Sequence, residues 1–311
     1  MTDLYPLNSQ NIQTVGPTGI NNSGQIASGL VVGGVYTPAI FDSTHGDLTL
    51  LGSLGGVTFF GFNGVATSIN SLGDAVGYSY ISATNRHAFL YSNGVMKDID
   101  FHGGYSGAIA INNGDVIVGF ASAQSNGIAS AFVYSEGVTT DIFPLGSESY
   151  ANGVNNLGQV VGEFITADQR AFHAFLYSEG VITDLGSAQS PETVAYSIND
   201  QQQIIGTTFI PHESTCSGVP CIQYTPHAFF YEGGNMADLN SLIPSRSGWE
   251  LSWAFDINNH GQIVGYGLVN EKFLAFLLTP ATSKEQCDDG GWQTFGFQNQ
   301  GQCIQFVNTG K

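Results

Sequence analysis

Charge is scarce in this chain. Of its 311 residues only 10% are charged, and 7 Lys and Arg face 25 Asp and Glu, for a net charge of −18. That balance leaves no basic surface for a phosphate backbone or for anionic headgroups, so nucleic acid and anionic lipid are excluded as partners. No apolar run approaches the roughly 18 residues of a spanning helix, so no membrane span is expected. Ala, Glu, Lys, Leu and Arg are too few for a coiled coil, and the Gly do not fall at every third position as in collagen. Familiar catalytic phrases are missing too. There is no Gly-x-Ser-x-Gly elbow and no phosphate-binding loop, and His212-Glu213-Ser214-Thr215-Cys216 lacks the second His of a zinc-protease helix.

What the chain does have is 41 Gly, 21 Phe, 13 Tyr and 3 Trp. So many aromatics exclude a disordered acidic chain. The composition is that of a Gly-punctuated β protein that draws its polarity from Ser, Thr, Asn and Gln.

An internal repeat organises it. The phrase Ala-x-x-Ile-Asn-x-x-Gly-x-x-Val-Gly is clearest at Ala66–Gly77, Ala151–Gly162 and Ala254–Gly265. Its Ile/Val-Asn anchor falls at Asn21, Asn70, Asn112, Asn155, Asn199 and Asn258, with spacings of 49, 42, 43, 44 and 59 residues. A second phrase follows: His87-Ala88-Phe89-Leu90-Tyr91, Ser130-Ala131-Phe132-Val133-Tyr134, His173-Ala174-Phe175-Leu176-Tyr177 and His227-Ala228-Phe229-Phe230-Tyr231. It is degenerate at Pro38-Ala39-Ile40-Phe41 and Leu274-Ala275-Phe276-Leu277. A third phrase closes the unit at Asp98-Ile99, Asp141-Ile142, Asp184-Leu185 and Asp238-Leu239.

Each unit therefore reads as four short strands. Asn-x-x-Gly turns the chain between the first two, and Ser-x-Gly between the last two. Four strands per unit is the pattern of a β-propeller blade. The expected fold is all-β: a six-bladed β-propeller over residues 1–280 with a small Cys-containing segment over 281–311. The last unit stops after its third strand, and Thr2-Asp3-Leu4 matches Thr183-Asp184-Leu185. The N-terminal segment is thus expected to supply the outer strand of blade six and close the ring, which removes an unpaired edge.

These phrases resemble the HAF repeat, a bacterial extracellular repeat family named for its His-Ala-Phe tripeptide. The resemblance covers about residues 1–280. The tripeptide is intact at His87–Phe89, His173–Phe175 and His227–Phe229, and the family's Leu-Gly-x-Leu-Gly-Gly ending occurs at Leu51–Gly56. The resemblance implies secretion and repeat architecture, and transfers no catalytic residue. Segment 281–311 is similar to short two-Cys tails at the ends of secreted bacterial proteins.

Four Cys allow three pairings. Proximity favours disulfides Cys216–Cys221 and Cys287–Cys303 over free thiols, and the spacings fit zinc poorly. The short tail would need its own disulfide, being too small to bury a core. Met1–Leu7 show neither the basic nor the apolar region of a leader. Paired Cys and the family resemblance favour an extracellular or cell-surface protein whose leader is absent from this chain.

Length variation concentrates in the loops between strands two and three and in the links between blades, which share one face, the top. Function usually sits on variable loops held by a rigid scaffold. The candidate ligand residues there are Phe59, Phe60, Phe62, His102, Tyr105, Tyr150, Tyr224, Arg246, Trp249 and Trp253. Aromatic platforms with scattered polar groups suit sugar rings. The leading expectation is a binding or surface-interaction module, with a glycan or another surface molecule as partner. An extracellular hydrolase or lyase is the rival, built at the channel mouth from a pool of His102, Glu148, Asp168, Arg170, Arg246 and Glu250. A surface-coat or matrix protein is the third reading.

The recurring His and the recurring Asp of the third phrase read as structural. Asp256, the one charge in a column of small residues, reads as a hydrogen-bonding residue. No metal site and no cofactor are evident. Asp98-x-Asp100-x-His102-Gly103 resembles the start of a calcium loop, but Ile109 stands where the bidentate acid belongs. The acidic excess is compatible with a structural divalent cation such as calcium.

Overall fold

The turn phrases do what their chemistry dictates. In the second repeat the Asn70 carboxamide oxygen accepts from the backbone N–H of Leu72 at 3.0 Å and of Asp74 at 2.9 Å. Gly73 supplies the left-handed residue at φ +86°, so the chain reverses within four residues. Between the third and fourth strands, Asn93 and Gly94 both have positive φ, 52° and 81°. That is the two-residue turn whose twist matches a hairpin.

A computed structural model of the chain describes residues 13–56, 61–123, 127–144, 147–166, 171–186, 190, 192–216, 219–244 and 246–280. The first sheet comprises β1 (Gln13–Ile20), β2 (Gln25–Val32), β3 (Val35–Asp42) and β4 (Leu48–Leu50). The second holds β5 (Gly64–Ile69), β6 (Ala75–Tyr80), β7 (Arg86–Ser92) and β8 (Val95–Asp98). The third holds β9 (Ser106–Ile111), β10 (Ile117–Ala121), β11 (Ser130–Ser135) and β12 (Val138–Asp141). The fourth holds β13 (Ser149–Val154), β14 (Val160–Ile165), β15 (Phe172–Ser178) and β16 (Val181–Asp184). The fifth holds β17 (Thr193–Ile198), β18 (Ile204–Cys216), β19 (Val219–Glu232) and β20 (Asn235–Asp238). The sixth has three strands, β21 (Trp249–Ile257), β22 (Ile263–Val269) and β23 (Lys272–Leu278). Every sheet runs in sequence order, as the repeat predicts. The proposed closing strand Thr2-Asp3-Leu4, the tail 281–311 and its Cys287 and Cys303 lie outside the described residues.

The chain divides into two compact units, Met1–Val160 with Tyr177–Val181, and Val161–Leu176 with Ile182–Lys311. In the first unit, the forward face of the second sheet packs on the third through Val76, Ala88, Ala108, Ile111 and Ile117. In the second unit, Ile205 and Ala228 of the fifth sheet pack on Leu251, Ala254, Ile257 and Phe276 of the sixth. The Phe of the second phrase is among the most deeply buried side chains of its sheet: Phe89, Phe132, Phe175 and Phe229 are all buried. In the first sheet the register puts Ala39 opposite Ser28, where the later sheets place this Phe opposite Gly, so the degenerate phrase is offset by one residue there.

The anchor Asn joins neighbouring sheets. Its amide donates to the backbone carbonyl of the next anchor: Asn21 to Asn70 at 2.8 Å, Asn70 to Asn112 at 3.3 Å, Asn112 to Asn155 at 2.8 Å, and Asn199 to Asn258 at 3.1 Å. One side chain thus closes its own turn with its oxygen and ties to the next sheet with its nitrogen, which is why Asn recurs where Asp would not serve. Close packing also explains the Gly of the Val-Gly phrase. A β-bulge at Thr67 falls between the Ala66–Gly77 and Ser68–Val76 pairs, and a Cβ on Gly77 would collide with the carbonyl oxygen of Val65.

The first and the sixth sheet each expose a position that is buried in other repeats. Ile20 is 67% exposed, whereas the same repeat position, Ile69, is 6% exposed. On the sixth sheet Val264 is 44% exposed, whereas its counterpart Ile205 on the fifth is fully buried. The insertion after Thr207 differs from the loop that its position suggested. Its residues extend β18 and β19 into a two-stranded arm paired in register from Phe209↔Pro226 to Cys216↔Val219. A run of Thr, Phe and Ile continues the strand propensity of the blade. Cys216 and Cys221 form a disulfide near the tip, with Cα atoms 5.8 Å apart.

Candidate functional site

In the first unit, aromatic side chains collect at the ends of β6 and β10, on the links that follow β4 and β8, and at the start of β13. The link residues 61–63 are strapped between two sheets. Tyr36 N–H donates to the Gly61 carbonyl, Asn63 N–H to that of Tyr36, and Tyr80 N–H to that of Asn63, each at 2.7 Å. This fixes Phe62, whose ring stacks on Tyr36 at 4.7 Å between centroids and meets Tyr80 edge-on at 5.9 Å. Tyr78 lies 6.4 Å away, nearly parallel to Phe62.

Arg86 is the centre of the cluster. It pairs across the ladder with Tyr80. Its guanidinium carbon lies 3.7 Å from the Tyr78 ring centroid and 4.2 Å from that of Tyr105, so the cation sits against two aromatic rings. Tyr105 in turn contacts Phe120 at 5.8 Å, and Phe120 meets Tyr150 edge-on at 5.4 Å. Apart from Phe120, which is buried, these rings and Arg86 are half-buried. Burial raises the Tyr78 hydroxyl above the usual phenol range, and the Arg86 charge beside it partly opposes that rise.

The corner around Arg86 also holds unmet hydrogen-bonding capacity. Arg86 Nε, Asn85 Oδ1 and Asn63 Oδ1 are buried without a partner. Leaving such a group unpaired costs about 1–3 kcal/mol, and native structures carry few of them.

The sequence-predicted residues fall as follows. Phe62, Tyr105 and Tyr150 fall in two groups of ring contacts that Arg86 joins. Phe59 and Phe60 lie outside the described residues, as do Asp168 and Arg170 of the rival pool. His102 is engaged otherwise. Its Nε2 lies 3.1 Å from Asp141 Oδ1 and its ring packs on Phe101. In the second, fourth and fifth sheets the repeat His bonds the repeat Asp of the same sheet, as in His87–Asp98, His173–Asp184 and His227–Asp238. The third sheet has Ser130 where that His would be, and His102 on the preceding link supplies the missing imidazole.

The second unit has its own arrangement. Trp249 meets Phe276 edge-on at 6.3 Å and Trp253 contacts Phe273 at 6.1 Å. Tyr224 is exposed on the arm, and Arg246 is exposed before β21. Among the described residues no ring contact joins Tyr224, Trp249 and Trp253 to one another. Asp256 accepts from Ser197 Oγ at 2.8 Å and from its neighbour Ile257 N–H at 2.9 Å. Although the residue is surface-accessible, crowding around its carboxyl raises it above the usual range, and those two bonds oppose the rise. No group of three or more metal-ligating side chains occurs among the described residues.

Tyr36, Tyr78, Tyr80, Arg86 and Phe120 were not among the predicted site residues. Two of them had a signal: Tyr78 and Phe120 both directly follow the Gly of the Val-Gly phrase, a position that otherwise varies among Gly29, Glu163, Thr207 and Tyr266.

No family model and no curated protein sequence matches the chain. Among solved structures it is similar to the β-propeller domain of the Trilobed protease from Pyrococcus furiosus, which has an open velcro topology. The TM-score is 0.55 at 12% identity, over 85% of this chain and 78% of that one. It is similar to the Pyrococcus horikoshii acylaminoacyl peptidase, with TM-score 0.53 at 13% identity, over 86% of this chain and 44% of that one. A prolyl endopeptidase gives 0.51 at 10% identity, over 87% and 42%. The chain thus spans less than half the length of these two peptidases. At such identities the likeness shows the fold alone: this chain is a β-propeller.

Proposed function

We propose that the chain is a secreted, carbohydrate-binding β-propeller of the HAF-repeat kind, and that it binds through the Phe62–Tyr78–Tyr105–Tyr150 surface. The observation that carries this is the convergence of Phe62 and Tyr105 from two links and Tyr150 from the start of β13, all expected from sequence as a ligand surface, on one half-buried patch with polar groups at its edge. Ring faces of this kind take the apolar face of a sugar while neighbouring donors and acceptors fix its hydroxyls. The disulfide on the arm supports an oxidising compartment. The absence of any long apolar helix among the described residues accords with a protein that has no helical span.

The scaffold in this proposal is a closed ring of six blades, completed by the N-terminal segment pairing with β23. Its support is the sequence repeat: the sixth unit lacks a fourth-strand phrase, and Thr2-Asp3-Leu4 matches the fourth-strand phrase Thr183-Asp184-Leu185. The closure differs from the open velcro topology of the Trilobed protease domain. The hydrolase reading has only the likeness to peptidase propellers in its favour, and their chemistry stays theirs.

A glycan array followed by calorimetry tests the binding reading. Phe62→Ala and Tyr105→Ala, checked for folding by circular dichroism, are expected to weaken binding at least about tenfold, equivalent to about 1.4 kcal/mol. Binding to no glycan, or unchanged affinity in both variants, overturns it.

A further inference from the structure

Arg86 is a permanent cation in a chain with seven basic residues and a net charge of −18, yet among the described residues no carboxylate forms an ion pair with it. The ion pairs seen there all involve His. Tyr78 and Tyr105 both lie against its guanidinium, and its N–H groups project in the plane of the fork. The fork's Nε is buried without a partner. A fork held edge-on is the geometry that matches a carboxylate with two parallel bonds.

We infer that Arg86 is an anion receptor, and that the ligand of this surface is a saccharide bearing a single uronic-acid unit, its carboxylate on Arg86 and its ring on the neighbouring aromatics. The inference rests on the carbohydrate reading above and specifies it. The acidic excess of the chain favours one acid group over a polyanion. A lone carboxylate gains the local fork, whereas additional charges meet a field of their own sign. The carboxamide oxygens of Asn63 and Asn85, also without partners, stand in the same corner as acceptors, and a sugar hydroxyl is the complementary donor. Tyr80 stands directly across the ladder from Arg86 and meets Phe62 edge-on, so ring platform and cation belong to one rigid surface.

The test is calorimetry of the full chain with a glucuronic-acid-capped disaccharide and with its methyl ester, which keeps the rings and removes the charge. The acid is expected to bind at least tenfold tighter than the ester. Arg86→Lys keeps a cation against the two rings but not the fork. It is expected to lose most of that advantage, read as the ratio of acid to ester affinity within the variant. Arg86→Met, which keeps the apolar stem, is expected to lose all of it. Equal affinity for acid and ester overturns the inference and leaves the carbohydrate reading standing. An acid preference that survives in both variants also overturns it. Binding of neither compound counts against both readings.

Discussion

The Nδ1 of His227 lies 2.6 Å from Oδ2 of Asp238, joining the third strand of the fifth sheet to its fourth. The bond to Asp238 raises the His227 imidazole above its ordinary value. Asp238 is drawn the other way. Burial pushes its carboxyl up, but the bonds from His227 and Asn240 outweigh it and leave the group below the usual range.

These shifts set a pH window for stability. The raised His contributes fully below about pH 6.5, and its contribution is lost as pH climbs through the folded value. The lowered Asp contributes above about pH 3.9 and loses its contribution as pH falls through its folded value. The pair therefore stabilises most between those limits. His227→Gln is expected to lower stability at pH 5.5 by about 1 kcal/mol and to make less difference at pH 9. Urea denaturation at the two pH values checks this. An equal loss at both would show that the ion pair is not the cause.

The anchor ladder predicts a large effect from a small change. Asn112→Ala removes the donor to Asn155 and the acceptor for Gly114 and Val116, with an expected cost of about 2–3 kcal/mol. At the last anchor, Asn258 bonds its own Gln262 at 2.8 Å and its own turn. In a closed ring its amide would also serve the first anchor, and Asn258→Ala would cost about as much as Asn112→Ala. A ladder that ended there would lose only about 1 kcal/mol. Chemical denaturation of the two variants separates the cases.

Two backbone substitutions should act in opposite directions. Gly77→Ala drives a methyl group into the Val65 carbonyl, and its expected cost is about 3 kcal/mol or more. Gln202 holds φ +64° at the turn position where Gly73, Gly158 and Gly261 stand in other repeats. Gln202→Gly relieves that strain and is expected to add up to about 1 kcal/mol. Thermal melts of the two variants check both signs.

Removal of residues 1–12 tests the proposed closure from the other side. If that segment caps β23, its loss bares an unpaired edge flanked by Phe273 and Leu277, both already more than half exposed. The truncated chain should then melt earlier and self-associate, as light scattering would show. An unchanged melting curve would contradict the closure.

The fold was legible because each turn phrase carries its own mechanism and recurs. Asn70, Gly73 and Gly94 specify their reversals locally, and the buried Phe89 and its counterparts mark the cores. Less of the site was legible. Phe62 and Tyr105 stood out as aromatics on links between blades, and Tyr150 as one at the entry to the fourth. Arg86 did not, because its neighbours in sequence announce only the His-Ala-Phe strand. Its role comes from ring faces contributed by Tyr78 on its own sheet and Tyr105 on the following link, a juxtaposition that strand register creates. The Trp residues of β21 were conspicuous for their rarity, yet Trp249 and Trp253 pack on Phe276 and Phe273 of the same sheet. His102 drew notice as a candidate ligand residue, acid or base, and its bond to Asp141, where the third repeat lacks its own His, was not legible in sequence.

The binding surface is the central claim, and selective labelling of tyrosine rings tests it most directly. With 13C-labelled Tyr, titration of the glucuronic-acid-capped disaccharide is predicted to shift the ring signals of Tyr78, Tyr80 and Tyr105 and to leave that of Tyr224 unchanged. Shifts confined to Tyr224, or none at all in the three, would contradict it.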